Sequence, residues 1–135
     1  MDQQELLEEI DKARWNRWTD LDLSSEGIER VPQALGSLND LEILGLSGNK
    51  INELHTLHLE SNQLQSVPKE LGNLPSLSSL YLGDNFLESI PKPIGRLPLV
   101  DLDLTENLMT YPTMAVVQKG TQAILDFLRQ ELKAV

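Results

Sequence analysis

The chain has 135 residues, enough for one domain that buries about two thirds of its unfolded surface. Its 11 basic and 21 acidic residues leave a net charge of −10, which opposes a phosphate backbone or an anionic membrane surface and favours a basic protein partner over nucleic acid. With no cysteine, a disulfide framework, a cysteine-based zinc site and a thiol nucleophile are all excluded, and a reducing, cytoplasmic setting is expected.

The first predicted element is a helix from Gln3 to about Trp15. Leu6, Leu7, Ile10 and Ala13 recur at helical spacing, and Glu5, Glu8, Glu9 and Asp11 occupy the rest of the surface. Residues 1–17 are expected to cap the open end of the core that begins at Trp18, with Trp18 substantially buried beneath them. The acidic start has no apolar run, so neither a signal peptide nor a membrane span is expected there.

From Trp18 onward the spacing L-x-x-L-x-L-x-x-N-x-L occurs five times, starting at Trp18, Leu41, Leu54, Leu77 and Leu99. Within each copy, x-L-x-L-x alternates with period two, which predicts a short strand with one buried face. The asparagines Asn49, Asn62, Asn85 and Asn107 fall where the chain turns off the strand, and a buried amide there can satisfy backbone groups of its own and the neighbouring coil. Glu26 takes that place in the first copy. Return segments begin at Val31-Pro32, Val67-Pro68 and Ile90-Pro91, each followed by apolar residues three apart. Proline cannot extend a central strand, so short helical or 3₁₀ arcs are expected.

One spacing breaks the pattern. Leu54 to Leu77 is 23 residues and Leu77 to Leu99 is 22, but Leu41 to Leu54 is only 13. The second copy therefore lacks a return arc and its proline. Thirteen residues reach at most about 45 Å fully extended, too little for strand, turn, arc and turn. The connection from Asn49 to Leu54 is expected to be irregular, pinching the stack or breaking the pairing of its neighbouring strands. The predicted units are thus 18–40, a truncated 41–53, 54–76, 77–98 and 99–111. Residues 112–135 form a second cap, in which Thr121 is expected to N-cap a helix carrying Ile124, Leu125, Leu128 and Leu132 along one side.

These copies resemble the 23-residue intracellular leucine-rich repeats of small bacterial proteins and of the Ras-related group. The segment Val116 to Arg129, VVQKGTQAILDFLR, looks like the stretch beyond the repeats in bacterial leucine-rich proteins, including Roco-type proteins with a GTPase domain. The resemblance implies an α/β fold: a right-handed solenoid with a curved parallel sheet, short return arcs and helical caps. It also implies protein recognition, sometimes in signalling. It brings no GTPase, because G-x-x-x-x-G-K-[ST] occurs nowhere in the chain.

The expected binding surface is the concave sheet. Its outward positions are Asp20, Asp22 and Ser24, then Ile43, Gly45 and Ser47, then Thr56, His58 and Glu60, then Ser79, Tyr81 and Gly83, and finally Asp101, Asp103 and Thr105. None is lysine or arginine. Asp20, Asp22, His58, Glu60, Tyr81, Asp101 and Asp103 are the candidate partner-binding residues, with Tyr81 beside His58 as the central anchor. No catalytic residue, metal or cofactor is assigned: His55 and His58 lack a third ligand at suitable spacing, and carboxylate pairs on an open sheet are solvated. A non-enzymatic, monomeric interaction module is expected. The alternative is an assembly protein that dimerises through strand edges left by the incomplete second repeat.

Overall fold

The computed structural model describes residues 1–133. Helix α1 (Gln3–Trp15) starts from a reciprocal cap: the Asp2 carboxylate accepts the Glu5 N–H at 2.8 Å, and Glu5 accepts the Asp2 N–H at 2.9 Å. Leu6, Ile10 and Ala13 are buried against the first coil, while Leu7 stays on the rim. Trp18 packs on this core but is only half-buried, less than its leucine position predicts. An indole is too large for the gap that a leucine would fill.

Five three-residue strands succeed it: β1 (Asp20–Asp22), β2 (Ile43–Gly45), β3 (Thr56–His58), β4 (Ser79–Tyr81) and β5 (Asp101–Asp103). Each buries its central leucine and turns its flanking residues outward, as the period-two pattern requires. Three 3₁₀ arcs, Gln33–Ser37, Lys69–Asn73 and Lys92–Arg96, begin directly after Pro32, Pro68 and Pro91. Leu35, Leu71 and Ile94 point from these arcs into the same core.

The strands form two sheets, and of the two outcomes expected at the short second repeat, a pinch or a broken pairing, the second is found. β1 pairs in parallel with β2, and β3–β4–β5 form a separate parallel sheet, with no ladder between β2 and β3. The reason lies in the short second repeat. Its turn is regular: Gly48 has φ +70°, and the equivalent Ser25, Ser61, Asp84 and Glu106 all have φ near +56°. What is missing is the return arc after that turn.

The asparagines record how the chain absorbs this loss. Asn49 donates to Leu23 O at 2.8 Å in the coil before and accepts the Ile28 N–H at 2.9 Å. Asn85 and Asn107 repeat the arrangement with Leu59 O and Leu64 N–H, and with Leu82 O and Leu87 N–H. Asn62 differs: its amide donates only to Leu59 O and Glu60 O in its own coil, and its oxygen accepts the Leu41 N–H at 3.0 Å. Gln63 N–H donates to Leu41 O, where Lys50 and Phe86 use Ile28 and Leu64. Leu41 has therefore taken the coil position that Ile51 would hold in an unbroken stack.

The two blocks are consequently half a coil out of phase. The first arc lies against β3, close enough that a Cβ on Gly36 would stand 3.0 Å from the His58 Cβ. The second arc lies instead beside the segment leaving β2, where Leu46, Ser47 and Asn49 share a groove with Glu70 and Asn73. Strand meets arc on both sides of the junction.

At the other end, α2 (Met114–Val117) leads through Gly120, at φ +100°, into α3 (Thr121–Lys133). Ile124, Leu125 and Leu128 are buried against the third arc, with Leu132 half-exposed. Gly95 permits the approach, since a Cβ there would meet the Leu128 Cβ at 2.9 Å. Arg129 Nε donates to Gly95 O at 2.8 Å. Thr121 is the first helical residue rather than the expected N-cap. Its hydroxyl accepts the Leu102 N–H at 2.9 Å, so it satisfies the outer edge of β5, which an N-capping orientation would leave unpaired.

Candidate functional site

The β3–β4–β5 sheet presents one row of outward side chains built by three register-matched repeats. His58 stands opposite Tyr81, and Tyr81 opposite Asp103, while Asp101 faces Ser79. The imidazole of His58 stacks on the Tyr81 ring, with centroids 4.7 Å apart and planes 14° from parallel. Glu60 reaches back to His58 Nδ1 at 3.1 Å. On the far side the Tyr81 hydroxyl donates to Asp101 Oδ2 at 2.9 Å. This hydrogen bond holds the phenol proton and is the main cause that raises the Tyr81 pKa above its ordinary value.

Glu60, His58, Tyr81 and Asp101 thus form one continuous chain of contacts across three strands. Asp103 Oδ1 accepts both the N–H and the hydroxyl of Thr105, at 2.9 and 2.7 Å, which fixes its rotamer beside that chain. Among the described residues, the lysine and arginine ion pairs join Lys12 to Glu9, Arg14 to Asp11 and Arg17 to Asp40. None of them neutralises this row.

Asp20 and Asp22 lie elsewhere. They are on β1, in the two-stranded sheet across the half-coil step, so the single concave row expected from the sequence is divided. Asp22 Oδ1 accepts the Ser24 N–H at 3.0 Å, and hydrogen bonding from Ser24, through side chain and backbone, lowers its pKa. Exposed Ile43 is their neighbour on β2.

The step also creates a feature that the repeat grid does not contain. An open cleft of about 780 Å³ runs between the first arc and β3, with Val31, Pro32, Gln33 and Leu54 on its walls and His55, His58 and Glu60 at its rim. Sequence reasoning missed Gln33 and Pro32 as site neighbours because regular stacking places that arc far from any strand. The one available signal was the 13-residue spacing from Leu41 to Leu54.

His55 Nδ1 lies 3.2 Å from Ser76 O and is not drawn toward His58. Among the described residues, no group of three or more His, Asp or Glu side chains converges to hold a metal ion. The carboxylates of Asp101 and Asp103 are held by different partners, Tyr81 and Thr105, as exposed hydrogen-bond acceptors.

Residues 52–109 match the leucine-rich repeat family model. The match contains β3, β4 and β5 with two of the three arcs and all of Glu60, His58, Tyr81, Asp101 and Asp103. A leucine-rich repeat protein of Leptospira interrogans is similar to the chain at 30% identity, with a TM-score of 0.41. That similarity covers 75% of this chain and 35% of the other, so the chain spans about a third of its length. No curated protein matches the chain. No helix among the described residues is long and apolar enough to cross a membrane.

Proposed function

We propose that this chain is a non-enzymatic protein-interaction module whose β3–β4–β5 face receives a basic segment of a partner protein. Leucine-rich repeats generally mediate protein–protein interaction. The observation that carries the reading is the His58–Tyr81 stack. It is an aromatic platform of exposed His58 on half-buried Tyr81, tied at both ends to carboxylates and free of lysine or arginine. An aromatic anchor ringed by unneutralised acids suits a lysine- or arginine-bearing strand or loop, through cation–π and charge-assisted contacts. Asp20 and Asp22 would then form a smaller acidic patch of their own. In this reading residues 1–17 and 112–135 cap a single domain, the protein is cytoplasmic, and the resemblance of Val116 to Arg129 to the segment beyond Roco-type repeats points to a signalling partner.

The test is comparative capture of proteins from cytoplasmic extract by the immobilised chain. A partner of this face should be retained by the wild type and lost with Tyr81→Ala, which should weaken binding more than tenfold. Asp101→Lys with Asp103→Lys should slow association and flatten its salt dependence, since rim charges act mainly on encounter rate. Retention that both variants leave unchanged would move the site off this face.

A second reading, self-assembly, draws on the break between β2 and β3, since neither strand pairs with the other across it. Light scattering coupled to size exclusion separates the two. A concentration-independent monomer supports the interaction module, and a stable dimer supports assembly.

A further inference from the structure

Another surface, distinct from the His58–Tyr81 face, carries an independent signal. The residue after the repeat asparagine is polar in Lys50 and Gln63 but apolar in Phe86 and Leu108. These two stand one coil apart at the same turn position and are 64% and 83% exposed. In a chain with only six aromatic residues, the exposure of this phenylalanine is a cost that folding does not require. Met114, at the start of α2, lines the same groove, an open trough of about 520 Å³, together with Glu88 and Glu106. Among the described residues neither glutamate is in an ion pair.

We infer that this groove docks an amphipathic, basic helix of a partner protein, with apolar anchors seated on Phe86, Leu108 and Met114 and lysine or arginine side chains paired with Glu88 and Glu106. The spacing supports a helix. Adjacent coils lie about 4.8 Å apart, and helix residues at i and i+3 or i+4 are about 4.5 or 6.0 Å apart along the axis, so anchors at that spacing meet successive coils. The charge selects against a second copy of this chain. Two molecules of net charge −10 meeting at acid-rimmed grooves repel each other, whereas a cationic helix is attracted.

The probe is a synthetic helical peptide with leucine along one face and lysine on the others, paired with a control that keeps the lysines and replaces leucine by glutamine. The readout is the Met114 methyl signal and the backbone amides in NMR titrations at physiological ionic strength. The inference expects saturable shifts at Met114, Leu108 and Phe86 with the leucine peptide and much weaker shifts with the control. Phe86→Ser with Leu108→Ser should lower affinity at least tenfold. Both positions are exposed, so the melting temperature should hold. Glu88→Lys with Glu106→Lys should give a comparable loss by repulsion, and Tyr81→Ala should leave binding intact. Equal shifts from both peptides would overturn the inference, as would shifts confined to His58 and Tyr81 or unchanged binding by both double variants. Self-association of the unliganded chain through Phe86 and Leu108 would also overturn it.

Discussion

Asn62 and Asn85 occupy the same place in consecutive repeats, yet they join the molecule differently. Asn85 donates to the strand before it and accepts from the turn before it, so it couples two coils at two points. Asn62 has no donor contact with the preceding coil and meets it only through the Leu41 N–H. The asparagine ladder therefore propagates the stack only where a full coil precedes it. Where ten residues are missing, the same side chain accepts whatever backbone the chain brings alongside. The block from Leu54 onward keeps a continuous sheet, whereas the block before it ends on a step.

If the two blocks differ in this way, the largest effect is expected from the asparagines themselves. Asn85→Ala leaves buried backbone groups of two coils unpaired and should cost about 3 kcal/mol. Asn62→Ala should cost about 2 kcal/mol, since it strands mostly its own coil. Urea denaturation of the two variants measures the difference, and equal losses would mean that the junction is as tightly coupled as the regular block.

Glycines give the next effect. A Cβ at Gly72, within the regular stack, would stand 2.5 Å from Pro93 O, a backbone atom that cannot yield without moving the third arc. Gly72→Ala should destabilise by roughly 2 kcal/mol. A Cβ at Gly36, on the step, meets the His58 Cβ at 3.0 Å, a contact that a shift of a few tenths of an ångström in β3 relieves and that moves the imidazole with it. Gly36→Ala should cost under about 1 kcal/mol while displacing the His58 imidazole from Tyr81, visible as a change in its NMR ring signals. A larger loss at Gly36 than at Gly72 would reverse the ranking.

The smallest effects are expected from titration, and they have opposite signs in the two blocks. Asp22 has a pKa lowered from 3.8, so its contribution is present above that pH and is lost as acid titrates the folded carboxylate. Tyr81 has a pKa raised from 10.0, so its contribution is present below pH 10.0 and is lost as pH climbs through the folded value. Absorbance titration of the phenol should show Tyr81 ionising late. Asp101→Asn should bring it back toward 10.0, because the carboxylate that holds the proton is gone.

Much of this architecture was legible in the sequence, because leucine alternation and proline position are local signals. Leu21, Leu44, Leu57, Leu80 and Leu102 fall at the centres of the five strands, and Pro32, Pro68 and Pro91 start the three arcs. The 13-residue spacing also announced a defect near Asn49 to Leu54. A lost pairing was one of the two outcomes expected there, and it is the one found; the phase shift that accompanies it was not legible, because it depends on which arc packs beside β3. The division of Asp20 and Asp22 from His58 and Tyr81 results from that lost pairing. Thr121 was misplaced for a related reason: an N-cap is a local preference, but the unpaired Leu102 N–H comes from a strand 19 residues earlier. Phe86 and Leu108 fall on the variable position after the repeat asparagine, which the spacing leaves outside the core, but spacing alone does not bring them together with Met114.

The short second repeat shifts the later block by half a coil, placing the first arc, not β2, beside β3. The natural chain has no cysteine, so paired substitutions can probe this step without background. In Gly36→Cys/His58→Cys the two Cβ atoms are close enough for a disulfide to form after slight adjustment. In Ile43→Cys/Thr56→Cys the positions would be neighbours only in one continuous sheet. Mild oxidation followed by mass spectrometry of each monomer should find the disulfide in the first pair and free thiols in the second. A disulfide between positions 43 and 56, with none between 36 and 58, would contradict the half-coil step.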